Sequence, residues 1–440
     1  MNVDSIEKSN LKASFKMIIM SLIGIFSFFI NIRIGEESTI FVNHLSNFLT
    51  TRLFSILPYI ILIISSYCVI DIIRNRSNYN RSIVVVIFSI CKIMGFAFLL
   101  FTMVGVGPEF LLDESIGVFV LYKLLIPITI NIPVAALFLP FLLDYGFVDF
   151  IGILLQKIMR PLFKCPGKSA IIAVTAFLGN FSVGHIAVDS MYKEGKLTEK
   201  EAVIMGTGFC TCSIGFLMVL ANTLNIMEYW TFYFWSSLTI TFFVTFISIR
   251  LWPLNKKESK YHAEVVPQPE HEFKSNLIKN AYATGLAVAE RAEPIQKRLC
   301  FILRESYKIL SGLLCGAMFF ASIGLYINQT SSFFTYLGYI HYPFLKLVNI
   351  PDIKIAMEAS GISILDLFLP AVIAAEQGAA LETRYLIAVM PVSMIIFFAG
   401  FIPCILSTQI PIKFIELIAL WIQRTILTII FAGTIAMLYF

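Results

Sequence analysis

The chain alternates long apolar runs with short charged stretches, and the runs carry no regular polar period. IVVVIFSICKIMGFAFLLF, starting at Ile83, is representative. A spanning helix needs about 20 mostly apolar residues, whereas strands of a membrane barrel show alternating segments of about ten. The pattern therefore predicts bilayer-crossing helices at Phe15–Ile32, Phe54–Ile73, Ile83–Val106 and Val118–Leu143. An amphipathic piece around Ile40–Leu53 lies in the first loop. Pro127, Pro133 and Pro140 predict a kink in the fourth helix.

Two later runs depart from this pattern. Ser169–Leu178 is too short to span and stops at Gly179-Asn180-Phe181-Ser182-Val183-Gly184; a second short piece, His185–Tyr192, follows. Ile353–Gly378 is interrupted at Ser360-Gly361 and again at Pro370. Each reads as a re-entrant hairpin, because non-helical backbone at membrane depth is tolerated only where protein buries it or it lines a cavity. Full spans are expected at Ala202–Ile226, Phe232–Leu251, Ile309–Ile327, Leu386–Ser407 and Ile412–Phe440.

Composition reinforces the pattern. Apolar residues make up 58% of 440 and charged residues 14%, with 41 Phe and a mean hydropathy of +0.83. Soluble domains carry about 25% charged residues. A water-soluble enzyme, a disordered chain and a nucleic-acid binder are excluded at this level. The distribution of charge then orients the helices, since Lys and Arg mark cytoplasmic loops. Lys8, Lys12 and Lys16 put the N-terminus in the cytoplasm, and the first run, lacking a small-residue cleavage site, reads as a retained helix. Arg74, Arg76 and Arg81 mark an inner loop; Glu109, Asp113 and Glu114 mark an outer one. Residues 253–304, with Pro267-Gln268-Pro269, read as a solvated cytoplasmic linker with helical character after Asn276.

The two broken runs correspond. Pro343 follows Pro161 by 182 residues, and Gly378 follows Gly195 by 183. By charge, the first hairpin enters from the cytoplasm and the second from outside, so the repeats are inverted. The expected divisions are 1–117, a three-helix membrane region; 118–252, a first repeat; 253–304, the linker; and 305–440, the inverted second repeat. Paired broken helices in inverted repeats are the best sequence pointer to a transporter's binding site.

Polar groups inside apolar runs are the candidates for chemistry, because burying them in lipid is costly. Asn180, Ser182, Thr207, Asn222 and Ser363 are expected to contact a neutral substrate. Asp189, Glu358 and Asp366 are expected to bind a coupling ion or proton. His185 reads as a packed histidine. Lys92, Asn131, Glu416 and Arg424 also lie within apolar runs, Arg424 being read as a structural pairing group. The eight cysteines form no CxxC pair, and Cys210-Thr211-Cys212 reads as small packing residues rather than a metal site.

The stretch Gly179–Leu254, opening GNFSVGHIAVDSMYKEGKLTEKEAV, resembles the YjiH-type family of bacterial inner-membrane proteins, as does the N-terminal LKASFKMIIMSLIGIFSFF. That family's distinguishing segment is the nucleoside-recognition Gate domain, which is similar to parts of concentrative nucleoside carriers and ferrous-iron permeases. The chain has no GxxxxGK[ST] loop, which argues against permease-like GTPase coupling.

Together these readings lead to an all-α polytopic membrane protein with about 8–10 spanning helices plus two broken re-entrant hairpins in inverted repeats. The resemblance implies a multi-pass protein of the bacterial inner membrane and a nucleoside or nucleobase substrate. The expected activity is secondary transport of a small polar solute, coupled to H⁺ or Na⁺, with no other cofactor. Amino acids or short peptides, a channel, and a non-transporting scaffold remain open. Expected partners are the small-molecule substrate, the lipid bilayer, and a homo-oligomer or membrane partner.

Overall fold

A computed structural model describes residues 3–34, 37–74, 83–167, 169–178, 181–262, 266–267, 276–406 and 408–440. Helices dominate throughout. The first is α1 (Val3–Phe29), followed by a small antiparallel pair, β1 (Asn31–Ile34) and β2 (Glu37–Ile40), with Asn31 opposite Ile40. That hairpin stands where the sequence suggested a loop. Then come α2 (Phe41–Leu53), α3 (Leu57–Arg74) and α4 (Ile83–Val104), close to the expected runs. The fourth span, α5 (Gly117–Leu143), bends as its prolines predict: a wide π-type turn occupies Val120–Leu125, Pro133 lies inside the helix, and Pro140 restarts it.

Six described helices are long and apolar enough to cross a membrane: Leu57–Arg74, Val85–Val104, Gly117–Leu143, Met227–Ser248, Ile295–Thr330 and Phe414–Tyr439. The apolar stretch Ala13–Phe29 of α1 is shorter than these six. Two further apolar runs are divided into helices in two pieces.

The first repeat begins with an additional amphipathic helix, α6 (Phe147–Ile158), in what the sequence suggested was a loop. The expected hairpin follows as α7 (Ser169–Leu178) and α8 (Phe181–Lys193). The run Ala202–Ile226 is not one span. It divides into α9 (Glu199–Gly208) and α10 (Ile214–Thr223), with Phe209–Ser213 unwound between them. Thr198 and Glu201 form a reciprocal cap at the start of α9, and Ser213 caps α10 by accepting the Phe216 N–H at 3.2 Å. A full span, α11 (Trp230–Ser248), completes the unit.

The linker corrects a second expectation. Its helix α12 (Leu277–Arg291) is docked rather than solvated. Ala281, Gly285 and Ala289, spaced four apart, are buried against α1 and α6. Small residues at this spacing allow helix backbones to approach closely. Gly146 meets Gly285 so tightly that a Cβ on Gly146 would lie 2.1 Å from the Gly285 carbonyl oxygen. Arg298 clamps the same corner, donating through Nε and Nη2 to both carboxylate oxygens of Asp144 at 2.6 and 2.8 Å.

The second repeat opens with the long span α13 (Ile295–Thr330) and two short helices, α14 (Phe333–Gly338) and α15 (Tyr342–Leu347). Its hairpin is α16 (Ile353–Ile362) and α17 (Leu369–Glu376), so the break falls at residues 363–368 rather than at Ser360-Gly361. Gly361 is helical and serves packing instead: a Cβ there would sit 2.1 Å from the Phe334 carbonyl oxygen of α14. Pro370 starts α17, where its missing N–H costs nothing. The expected full span Leu386–Ser407 is again two pieces, α18 (Leu381–Met394) and α19 (Phe401–Leu406). At their junction Ile395 has φ +42°, a conformation that β-branched residues rarely adopt. The last span is α20 (Phe414–Tyr439).

The order hairpin, two-piece helix, full span therefore occurs twice. The packing also shows the inversion: α18 runs beside α10, while Ile405 of α19 touches Gly206 of α9. Each first piece thus lies against the other repeat's second piece.

Candidate functional site

Antiparallel overlap of the two-piece helices brings four half-helix ends together inside the bundle. The C-termini of α9 and α18 carry unsatisfied carbonyls, and the N-termini of α10 and α19 carry unsatisfied N–H groups. The carbonyls of α9 find partners outside the helix. His185 of α8 bonds the Gly206 oxygen through Nε2 at 2.9 Å, and the Thr245 hydroxyl of α11 donates to the Gly208 oxygen at 3.0 Å. Those of α18 are met likewise: the Cys212 thiol donates to the Pro391 oxygen at 3.1 Å, and Arg424 Nε donates to the Ser393 oxygen at 2.7 Å. Tertiary partners thus replace the helical bonds that the breaks remove.

The second hairpin joins this junction through its backbone. The N–H groups of Phe398 and Ala399 donate to the carbonyls of Ile364 and Leu365 at 2.8 and 3.0 Å. Helix α20 supports both sides. Trp421 Nε1 donates to the Ser363 hydroxyl at 3.2 Å, and Ser363 donates to the Ser360 carbonyl at 2.6 Å. One turn on, Arg424 reaches Ser393 and donates through Nη1 to Thr245 Oγ1 at 3.2 Å.

The residues singled out in the sequence divide by location. Asp366 lies within the second break, where its carboxylate accepts the Phe368 N–H at 2.7 Å and caps the start of α17. Ser363 is beside it. Glu358 stands further back on α16 and accepts from two side-chain amides, Asn328 Nδ2 and, at 3.1 Å, Gln377 Nε2. Thr207 is buried near the first break, but its hydroxyl donates to the Val203 carbonyl of its own helix at 2.7 Å. Asn222 lies at the far end of α10 and donates to Asn43 Oδ1 at 2.7 Å. Asp189 is at the other end of its hairpin from the break, paired with Lys193 and accepting the Gln409 N–H at 2.7 Å. Asn180 lies outside the described residues, and Ser182 is placed only as a residue of α8.

His185 is fully buried between Gly206 and Cys404 Sγ, 3.4 Å from its Nδ1, as a packed histidine should be. Glu416 lies at the start of α20, away from the junction. It caps α20 and bonds Lys257 at 2.9 Å. Sequence reasoning missed Thr245 and Trp421 at the junction; Arg424, read as a structural group pairing with other helices, does bond Ser393 and Thr245 there. The available signal was the arginine itself, a permanent charge in the last apolar run.

These elements define the class: an all-α, multi-pass membrane protein with two hairpins and two discontinuous helices converging within the bundle. Residues 125–227 match the family model described as Gate, nucleoside recognition; the match falls within the expected first repeat, 118–252, and overlaps the stretch Gly179–Leu254 that carries the resemblance from Gly179 onward. A curated but uncharacterised protein of Alkalihalophilus pseudofirmus is 28% identical over 430 residues, covering 94% of this chain and 92% of its own. The solved structure of CNTnw in an inward-facing substrate-bound state aligns with 96% of this chain and 91% of that one, at 12% identity and a TM-score of 0.42. A variant of CNTnw in an outward-facing state covers 97% and 92%, at 12% identity and a TM-score of 0.40.

Proposed function

We propose that this chain is a secondary transporter of a small polar solute, with nucleosides or nucleobases first among candidates and amino acids or short peptides second. One observation carries the reading: the breaks of two inverted discontinuous helices meet inside the bundle, with a hairpin break bonded to them. Half-helix ends in that position offer dipoles to both anionic and cationic groups of a bound solute. The Gate match supplies the preference for nucleosides. Coupling to H⁺ or Na⁺ is assigned to the second hairpin, with Asp366 nearest the junction and Glu358 behind it. Asn180, Ser182 and Ser363 are the proposed substrate contacts. Thr207, Asn222 and Ser363 each hydrogen-bond within the protein; Ser363 is kept because it lies at the second hairpin's break, whereas Thr207 is tied to its own helix and Asn222 lies at the far end of α10. Asp189 is reassigned to clipping the first hairpin to the loop before α20. The membrane is proposed to be a bacterial inner membrane, with the N-terminus in the cytoplasm.

The test is uptake by proteoliposomes across a panel of nucleosides, nucleobases, amino acids and dipeptides, under proton and sodium gradients. A thermal-shift screen of the same panel precedes it, because a ligand bound only to the folded state raises its stability. Accumulation of one class under one gradient supports the proposal; failure across the whole panel under both gradients refutes it.

A second reading, a non-transporting scaffold, is favoured by one observation. Cys210, Thr211, Cys212, Ile395 and Ile396 at the breaks are almost completely buried. A scaffold packs its breaks this way permanently, whereas a transporter does so only while occluded. Cysteine labelling during turnover separates the two: Cys210 and Cys212 become reactive in a transporter and stay protected in a scaffold.

A further inference from the structure

Arg424 is completely buried in the last span, and the described residues place no carboxylate in contact with its guanidinium. Its hydrogen bonds instead run to the two half-helix C-termini. Nε donates directly to the carbonyl of Ser393, the penultimate residue of α18, at 2.7 Å. Nη1 donates at 3.2 Å to the Thr245 hydroxyl, which passes its own proton at 3.0 Å to the carbonyl of Gly208, the last residue of α9. Nη2 has no partner among the described residues.

The charges match this arrangement. A helix C-terminus carries roughly half a negative charge, concentrated on its unsatisfied carbonyls. Two such ends together offset about one positive charge, which is what a guanidinium supplies. Arginine also keeps its charge when buried and is more weakly hydrated than an ammonium. In transporters built from broken helices, unwound carbonyls and half-helix C-termini are the usual seat of a dissolved coupling cation.

We infer that Arg424 is a tethered cation occupying that seat, so that this pair of helix ends binds no dissolved Na⁺. The inference rests on reading the breaks as a transport site. It deepens that reading by closing one seat to sodium, leaving coupling, by proton or sodium, to the carboxylates of the second hairpin. Arg424 is then a positioning residue, holding the C-termini of α9 and α18 together through its charge.

The test is thermal unfolding of the purified full chain in sodium, potassium or choline chloride at equal ionic strength. The parent protein's difference between sodium and choline sets the baseline. Arg424→Ala should melt lower in choline and recover in sodium by about 3 °C or more beyond that baseline. Arg424→Lys, which keeps a charge on the same helix, should respond to the cations as the parent does, and it carries the test alone if Arg424→Ala does not fold. A sodium-specific rise in Arg424→Lys beyond the parent's, or an Arg424→Ala protein whose sodium response only matches the parent's, would each overturn the inference. The melting pattern needs no substrate. A negative uptake assay therefore leaves it intact, and an Arg424→Ala protein with no added sodium response leaves the transport reading standing.

Discussion

The backbone N–H of Phe398 donates to the carbonyl of Ile364 at 2.8 Å, joining the break between α18 and α19 to the break of the second hairpin. Ala399 repeats the contact with Leu365 at 3.0 Å. Two stretches of unwound backbone thus satisfy each other. The hairpin and the discontinuous helix form one mechanical unit, and a movement of either carries the other.

Ala399→Pro removes the second donor and leaves the Leu365 carbonyl short of a partner. The expected loss is about 1–3 kcal/mol of stability, read as a lower melting temperature, with Ala399→Ser as a control close to the parent. An Ala399→Pro protein as stable as the control would show that the contact contributes nothing.

Asp366→Asn separates capping from coupling. An asparagine oxygen can still accept the Phe368 N–H, so stability should change by no more than about 1 kcal/mol. Ion-driven uptake should be lost, because an amide neither ionises nor carries a proton. If uptake keeps its full ion dependence in this variant, Asp366 is a cap and nothing more.

Glu358 accepts from both Asn328 and Gln377. Glu358→Gln replaces one acceptor oxygen with a second donor facing a donor, which should cost about 1–3 kcal/mol. Adding Gln377→Glu restores an acceptor opposite the new amide and should recover much of that loss. The check is a double-mutant cycle by thermal or denaturant unfolding, and strictly additive effects would contradict the geometry.

Gly146→Ala should release the linker helix. The residue has φ +89°, and the added Cβ would meet the Gly285 carbonyl oxygen at 2.1 Å. Trypsin cleavage at Lys279 and Arg291 should accelerate about tenfold or more, since cleavage follows the population of the open form. Arg298→Ala should give a smaller effect. Its pair with Asp144 is partly exposed, so added salt should mimic part of the mutation. Unchanged cleavage in Gly146→Ala would mean that the docked helix is held elsewhere.

Most of the architecture was legible because the bilayer imposes a long, simple apolar code. The spans α3, α4, α5 and α20 follow their runs closely, and the first hairpin was marked by Gly179-Asn180. The unwound stretches within the expected spans were illegible for a physical reason. Phe209-Cys210-Thr211-Cys212-Ser213 contains neither Gly nor Pro. It can leave the helix because Thr245, His185 and the Ser213 cap take over bonds around the break, and those partners lie on other helices or act only after folding. Gly361 misled in the opposite sense: it permits the close approach of α14, and the break comes two residues later. Among site residues, Asp366 and Ser363 fell at the junction because a break in an apolar run is visible in sequence. Asp189 did not: its i,i+4 pairing with Lys193 was readable as a local pattern, whereas the Gln409 N–H that holds its other oxygen comes from 220 residues away.

The seating of α12 on α1 and α6 has a consequence for heredity as well as for mechanics. Besides the docked helix and the grip of Arg298 on Asp144, the halves are joined by the packing of α13 on α3, α4 and α5 and of α18 and α20 on α11. The two halves are therefore held as partners are held in a complex, with the peptide connection as a second tie. A gene opened between Tyr261 and Asn276 into two reading frames is expected to give two pieces that co-purify as one folded body.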